Sequence, residues 1–429
     1  MNYLSLKNRP LTIVIGFNLF TLLVFFTAPV RWKTDNLFLF LIFSLFCQIM
    51  IAIGYNRGFK KYLNMDVSNS ILSNLTEKKL NFIFLFYLFT LLYKYAYLLK
   101  INLFDIEGMI NFLMLGIKNP QIGYELAVDA SRPMTLSWYV YFPISIITQV
   151  FFIIGFIKWK NISRFKKYLF IFFILIELFF WMGRGTNFGV IYMMTTFAFS
   201  YIDNLRIVRL NFKQAMGFSL VIVLLFYGSI SVFTYNMKNR TDDKELLIER
   251  FSSFGLSEFN ENHYILSLIP NSLHPAYMSI VSYLSQGYYH TCLAFDLDFK
   301  WTYFLANNPI SIANAEMFNI YVWEDTYVYR LRNKGVDPKL KWHSAYLWYA
   351  SDVSFFGVPF LLYFIGYLFG ISWALSIGIG DFLSKIMFVI FGNMLLFLFA
   401  NNSYLAEIFN SFIFILPIWY FTRVKRIIV

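Results

Sequence analysis

Charge is scarce in this chain. Only 14% of its 429 residues are Asp, Glu, Lys or Arg, while 59% are hydrophobic and 22% aromatic. A water-soluble domain of this length cannot cover so much apolar surface with so few charges. Lipid as the solvent removes the difficulty. Cysteine is nearly absent too, with Cys47 in an apolar run and Cys292 in a more polar stretch. The two make no metal-ligand spacing and no disulfide framework, so they are expected as unpaired thiols packed like small hydrophobes. No internal repeat of fixed period is visible.

Apolar runs of the ~18–20 residues that cross a bilayer as a helix predict ten spans, at 11–30, 36–55, 80–99, 137–157, 167–182, 186–202, 215–234, 351–377, 384–400 and 403–421. The first follows Lys7 and Arg9 but meets no convincing small-residue cleavage site, so it reads as a retained span. With the N-terminus inside, nineteen Lys and Arg fall on the cytoplasmic side. The short outer loops hold six: Arg31, Lys33, Lys100, Lys118, Arg132 and Arg184. This bias orients polytopic proteins during insertion. It places both termini in the cytoplasm and accounts for the net charge of +12 without nucleic acid.

The expected fold class is an all-α polytopic membrane protein of about ten transmembrane helices (ten to twelve) with one large, partly helical outer loop. Residues 1–234 hold the N-terminal spans with a shorter outer loop at 100–136; residues 235–350 form the large outer loop; residues 351–429 hold the C-terminal spans. In the shorter loop, Leu103 to Lys118 has helical apolar spacing and suits a helix lying flat at the interface. The larger loop has little linker character and is expected to fold, with short helices over Ala276–Leu284 and Ala313–Trp323.

Candidate chemistry concentrates at two places. The hairpin Trp181-Met182-Gly183-Arg184-Gly185-Thr186-Asn187 puts an arginine between glycines on the outer side, where the orientation rule disfavours positive charge. A guanidinium fork beside exposed backbone N–H groups suits phosphate oxygens. Glu177, seven residues earlier, shares its helical face, to orient Arg184 or pair with another cation. Glu407, below Asn401 and Asn402, is a second acidic group within the apolar zone, and Lys94, near an outer helix end, is expected to snorkel. Arg132, Arg240, Arg250, Arg330 and Arg332 add outer positive charge, most of it ordinary solvated side chain. The four histidines, His263, His274, His290 and His343, all fall in the large outer segment. Most such histidines are structural. His343 stands apart, because Trp342-His343-Ser344-Ala345-Tyr346 immediately precedes a membrane re-entry, with Asp352 further along.

Three stretches together resemble the oligosaccharide repeat-unit polymerases, the Wzy-type O-antigen and capsule polymerases. They are the GRG hairpin; Tyr283-Leu284-Ser285-Gln286-Gly287-Tyr288-Tyr289 with Leu293-Ala294; and Asp352-Val353-Ser354-Phe355-Phe356-Gly357. The layout of many spans with a large late outer loop is similar along the whole chain. His343-Ser344 also resembles the O-antigen ligases, but Gly357 comes later than in that pattern and Phe360 stands in place of its second glycine. The resemblance implies a metal-independent glycosyltransferase of the bacterial inner membrane, without cofactor. Its donor would be a growing glycan on undecaprenyl diphosphate, attacked by a hydroxyl of the next lipid-linked unit. Arg184, with Arg132, Arg250, Arg330 or Arg332, would bind the diphosphate. His343, or else Asp352, Glu177 or Glu407, would be the base, and the aromatic loop would offer sugar-stacking faces. A chain-length regulator would be a protein partner. The rival readings are a lipid-linked oligosaccharide flippase, disfavoured by the long outer segment, and a ligase-like transferase. An enzyme using a lipid monophosphate sugar ranks lower, because the first outer loop, Arg31 to Asn36, holds only Asp35 as an acid.

Overall fold

The structure, a computed structural model, describes residues 7–63, 76–99, 101–102, 104–120, 122–123, 125, 136–185, 188–204, 257–307, 312, 315–316, 318–338, 341, 343–400 and 402–424. These are mostly helical. In chain order they form α1 (Arg9–Thr27), β1 (Val30–Trp32), α2 (Leu37–Leu63), α3 (Glu77–Leu99), α4 (Ile106–Lys118), α5 (Leu136–Lys158), α6 (Arg164–Gly183), α7 (Phe188–Asn204), β2 (Ser257–Phe259), α8 (His274–Ala294), α9 (Ala345–Gly378), α10 (Phe382–Leu396) and α11 (Asn402–Trp419). Among the described residues, four helical stretches are long and apolar enough to cross a membrane: Arg9–Thr27, Leu37–Tyr62, Glu77–Tyr97 and Ala345–Gly378. Shorter apolar helices cover Pro143–Lys158, Gly189–Ile202, Phe382–Leu396 and Ser411–Val424. Of the expected spans, 215–234 lies outside the described residues. The outward faces of the long helices are apolar, as at Phe82, Leu85 and Phe89 of α3. Such a surface belongs in hydrocarbon.

The chain divides into two compact units. The first comprises Met1–Val67, Asp243–Gly378 and Ile390–Val429; the second comprises Ser68–Asp242 and Ile379–Val389. In this division the described residues from Ser257 to Gly378 group with α1 and α2.

In the first unit, α2 and α9 lie backbone to backbone. Gly54 and Gly58 are four residues apart on α2, and Gly366 and Gly370 are four apart on α9. A Cβ at Gly54 or Gly58 would collide with the carbonyl oxygen of Tyr363 or Tyr367, and one at Gly366 or Gly370 with that of Ile51 or Tyr55. Each helix therefore offers a small-residue notch to the other, and the close approach maximises van der Waals contact where lipid supplies no hydrophobic drive. At Ser354 α9 is interrupted by a non-helical backbone (φ 61°, ψ 165°). Pro359, five residues on, cannot donate to the Phe355 carbonyl, which weakens the helix at the same place.

The stretch expected to form the large outer loop holds a longer helix than expected. Instead of a short helix over Ala276–Leu284, α8 runs for 21 residues and packs against α1, α2 and α9. Tyr288 is fully buried, hydrogen-bonded to Thr21 Oγ1 at 2.8 Å and set against the rings of Phe25 and Phe40. Beside it β1 and β2 pair antiparallel, with Val30 opposite Phe259 and Trp32 opposite Ser257. Ala28, Val30 and Val281 form a small apolar cluster under this pair. Ala313–Trp323 lies partly outside the described residues. Cys47 and Cys292 are buried free thiols.

In the second unit α5 packs on α3 and α7, while α6 packs on α4 and α7. Tyr87 stacks on Phe151 with ring centroids 3.8 Å apart, and Gly155 leaves room for the Phe170 ring.

The α2–α9 contact makes a test. Gly370→Leu should lower stability by about 1–3 kcal/mol or more, since the added side chain has only backbone to displace. Gly16, with open space around it, is the control: Gly16→Leu should leave the thermal midpoint in detergent unchanged. Equal midpoints for both variants would remove the notch from the account.

Candidate functional site

The second unit holds an ion pair inside its apolar core. Lys94 of α3 and Glu177 of α6 are bonded, and each side chain is only 4% exposed. Lys94 thus does not snorkel as expected; its ammonium turns inward because a carboxylate is there to meet it. The same carboxylate oxygen accepts from Trp181 Nε1 at 2.8 Å. The hydroxyls of Tyr87 and Tyr95 lie beside the carboxylate.

Arg184 sits two helical turns beyond Glu177, at the C-cap of α6. Its N–H donates to the Phe180 carbonyl at 3.1 Å, and Gly185 (φ 62°) donates to Met182 at 2.8 Å. The left-handed conformation of Gly185 ends the helix at the usual cost-free residue. The negative end of the helix dipole then favours a cation. Phe180 and Trp181 precede Arg184 by four and three residues, so they share its face. The guanidinium carbon lies 5.7 Å from the first ring centroid and 5.1 Å from the second. Lys94 Nζ lies 5.5 Å and 5.3 Å from the same two rings. Glu177 is therefore linked to Arg184 through Trp181, which it holds by the indole N–H, while its charge answers Lys94. The turn itself is pinned by α4 and the residues just after it. Gly116 and Gly123 both approach the Gly183 carbonyl so closely that neither site has room for a Cβ.

The first unit places His343 just before α9. It is 1% exposed, and neither ring nitrogen has a hydrogen-bond partner. Its ring centroid is 4.9 Å from that of His290 on α8, itself buried. Burial, with the neighbouring His290 second, pushes the His343 imidazole well below its ordinary value of 6.5. It is accordingly neutral near pH 7. Gly287 lets the His343–Ser344 backbone approach α8, where Ser344 Oγ and Thr291 Oγ1 share a hydrogen bond of 2.6 Å. Ala345 N–H donates to the Leu398 carbonyl at 3.0 Å. These contacts fix the backbone that carries the imidazole.

Asp352 is 5% exposed and committed to a loop. Oδ1 accepts from Thr302 Oγ1 (2.6 Å) and Ala306 N (2.9 Å), and Oδ2 from Asn307 N (3.3 Å) and Asn307 Nδ2 (2.5 Å). Arg330 Nη1 donates to the Asp298 carbonyl at 2.6 Å, and Arg332 is bonded to the Tyr329 hydroxyl and lies over that ring. Arg132, Arg240 and Arg250 lie outside the described residues, as do Thr186 and Asn187 of the hairpin. Glu407 is on α11, but its side chain lies outside the described residues. His263 caps a helical turn, accepting from Ile265 N, and His274 Nε2 bonds the Leu266 and Ile269 carbonyls at 2.9 Å.

Sequence reasoning passed over Lys94, His290 and Trp181 as site residues. It also passed over Asp296-Leu297-Asp298, whose Asp-x-Asp spacing was there to be read. Asp296 is bound by Lys334 Nζ (2.5 Å) and Asn36 Nδ2 (2.7 Å), and these bonds hold its carboxyl below the usual range. Compared with known protein families, with curated proteins and with solved structures, the chain matches none.

Two outcomes follow from the buried groups. Glu177→Gln leaves Lys94 buried without a counter-charge and should destabilise the fold by about 3–5 kcal/mol. Lys94→Met combined with Glu177→Leu should recover most of that loss in detergent unfolding, and a double variant as unstable as the single one would contradict the pairing. For His343 the folded imidazole binds its proton more weakly than the unfolded one. Its contribution is complete above about pH 6.5 and lost as pH falls, by up to about 1.4 kcal/mol per pH unit. Unfolding midpoints followed from about pH 8 to 5 should fall less steeply in His343→Gln. Parallel acid limbs would show that His343 titrates as it does when unfolded.

Proposed function

We propose that this chain is a polytopic inner-membrane glycosyltransferase that polymerises undecaprenyl-diphosphate-linked oligosaccharide repeat units at the outer face. In this reading about ten helices span the bilayer, both termini are cytoplasmic, and the hairpin at Arg184 faces outward. The observation that carries the proposal is Arg184 itself. It is a guanidinium held over two aromatic rings at the C-terminus of an apolar helix, on a turn that three glycines bring close to a neighbouring backbone. An arginine so placed meets the depth at which a lipid diphosphate sits, and its planar fork suits two phosphate oxygens at once.

The reaction asks for a leaving group and a base. A hydroxyl of the incoming unit attacks the anomeric carbon of the donor glycan. A new C–O bond forms, the bond to the diphosphate breaks, and the lipid diphosphate leaves. Charge developing on that diphosphate is what Arg184 stabilises. The hydroxyl proton goes to a base. With Glu177 engaged by Lys94 and Asp352 by its loop, His343 is the residue we assign. A base must be unprotonated before it acts, and burial keeps this imidazole neutral. Arg184 and His343 belong to different units, and each is assigned from its own surroundings.

Arg184→Lys keeps the charge and loses the fork. The rate of glycan lengthening should fall by about a hundredfold, as when one preorganised donor is removed from a charge-stabilising site. The amount of protein in the membrane should not change. Near-normal glycan length in cells carrying the variant would remove Arg184 from the site.

A further inference from the structure

Asp352 does more than fill its own hydrogen bonds. By accepting from Thr302, Ala306 and Asn307 it closes residues 302–307 into a loop against the start of α9. Thr302 Oγ1 also bonds the Ser351 carbonyl at 2.7 Å, and Asn307 Nδ2 the Trp348 carbonyl at 3.2 Å. Both anchors face inward: Thr302 is fully buried and Ala306 likewise. The residues between them are pushed out. Tyr303 and Phe304 are consecutive and both left-handed (φ 56° and 62°), a conformation that side-chain-bearing residues rarely adopt. Strain of this kind persists only where surrounding contacts enforce it, and it collects at ligand clamps.

The strain displays rings. Trp301, Tyr303 and Phe304 are 51%, 58% and 66% exposed. The Trp301 and Tyr303 ring centroids are 4.7 Å apart at 41°, and Trp301 and Phe304 are 5.8 Å apart at 89°. Three large apolar side chains thus form a fixed corner with open faces. Its edge is charged: Lys300 Nζ pairs with Asp325 at 3.1 Å, both well exposed, and Arg330 reaches the Asp298 carbonyl.

We infer that Trp301, Tyr303 and Phe304 form a glycan-binding platform, with Asp352 as its positioning residue. The C–H face of a pyranose is apolar and weakly positive, which complements the negative face of an aromatic ring. Its equatorial hydroxyls would meet the charged edge formed by Lys300 and Asp325. A bilayer interface also accepts aromatic residues, but it has no use for a strained, anchored loop that fixes ring orientation. That the ligand is an oligosaccharide rests on the function proposed above.

The test uses the full chain in detergent and oligosaccharides released by mild acid from the lipid-linked pool of its native cells. Saturation-transfer NMR should show binding to the wild type, with the apparent Kd raised about tenfold or more in Trp301→Ala and Tyr303→Ala. Both side chains are exposed, so these variants should fold. Asp352→Asn should weaken binding without touching the sugar. Unchanged affinity in Trp301→Ala, or no transfer to the wild type, overturns the platform. So does quenching by brominated phosphatidylcholine of the fluorescence that Trp301→Phe removes, which would make the corner a membrane anchor. Polymerisation separates the two proposals. Sugar binding without glycan lengthening would sink the function alone. Lengthening at wild-type KM in Trp301→Ala would sink the platform alone.

Discussion

The close approach of α2 and α9 is the constraint on which the first unit rests. Two glycines on each helix remove the side chains that would hold the backbones apart, and α9 then lies fixed along its length. Its N-terminal end carries Asp352, and the residues leading into it carry His343. α8 completes the arrangement by packing on α1, α2 and α9, bringing His290 to His343 and Gly287 to the Ser344 backbone. The break at Ser354 lies between the stretch of α9 that carries Asp352 and the stretch that carries the glycine notch, and Tyr346, before the break, also meets α2 through Phe43 and Gln48.

The second unit solves a different problem, that of keeping cations in an apolar setting. Lys94 is neutralised by Glu177, and the aromatic faces of Phe180 and Trp181 lie close to both Lys94 and Arg184. Glu177 thus acts at two distances, directly on Lys94 and through the indole N–H on the ring that supports Arg184. A buried pair of this kind contributes little net stability against an apolar replacement, yet losing one partner is costly. Its worth lies in orientation.

Much of the helical layout was legible because apolar run length is a property of single segments. Runs at 11–30, 36–55 and 80–99 match α1, α2 and α3 to within a few residues at most of their ends, α2 alone running on to Leu63. Arg184 stood out for a similar local reason, as an arginine between two glycines in a short hairpin where the expected orientation disfavours positive charge. What was hidden is what depends on partners far away in sequence. The pairs Gly54/Gly58 and Gly366/Gly370 are each visible as G-x-x-x-G, but nothing local says that they face each other across three hundred residues. Lys94 looked like a helix-end lysine because its carboxylate is 83 positions on. The stretch around Tyr288 looked like part of an outer loop because its serines, histidines and glutamine dilute its apolar character. Packing against Thr21, Phe25 and Phe40 supplies the stability that its own composition does not. Asp352 read as a free acid since its donors at 302–307 lie in a loop with no regular pattern.

The central claim is that this chain joins lipid-linked repeat units. The most direct measurement is to give the purified wild-type chain, in detergent and then in vesicles, lipid-linked repeat units with no nucleotide sugar present. The account predicts a ladder of glycans lengthened by whole repeat units, with free undecaprenyl diphosphate released in step. Transbilayer movement of the lipid without any lengthening would contradict it.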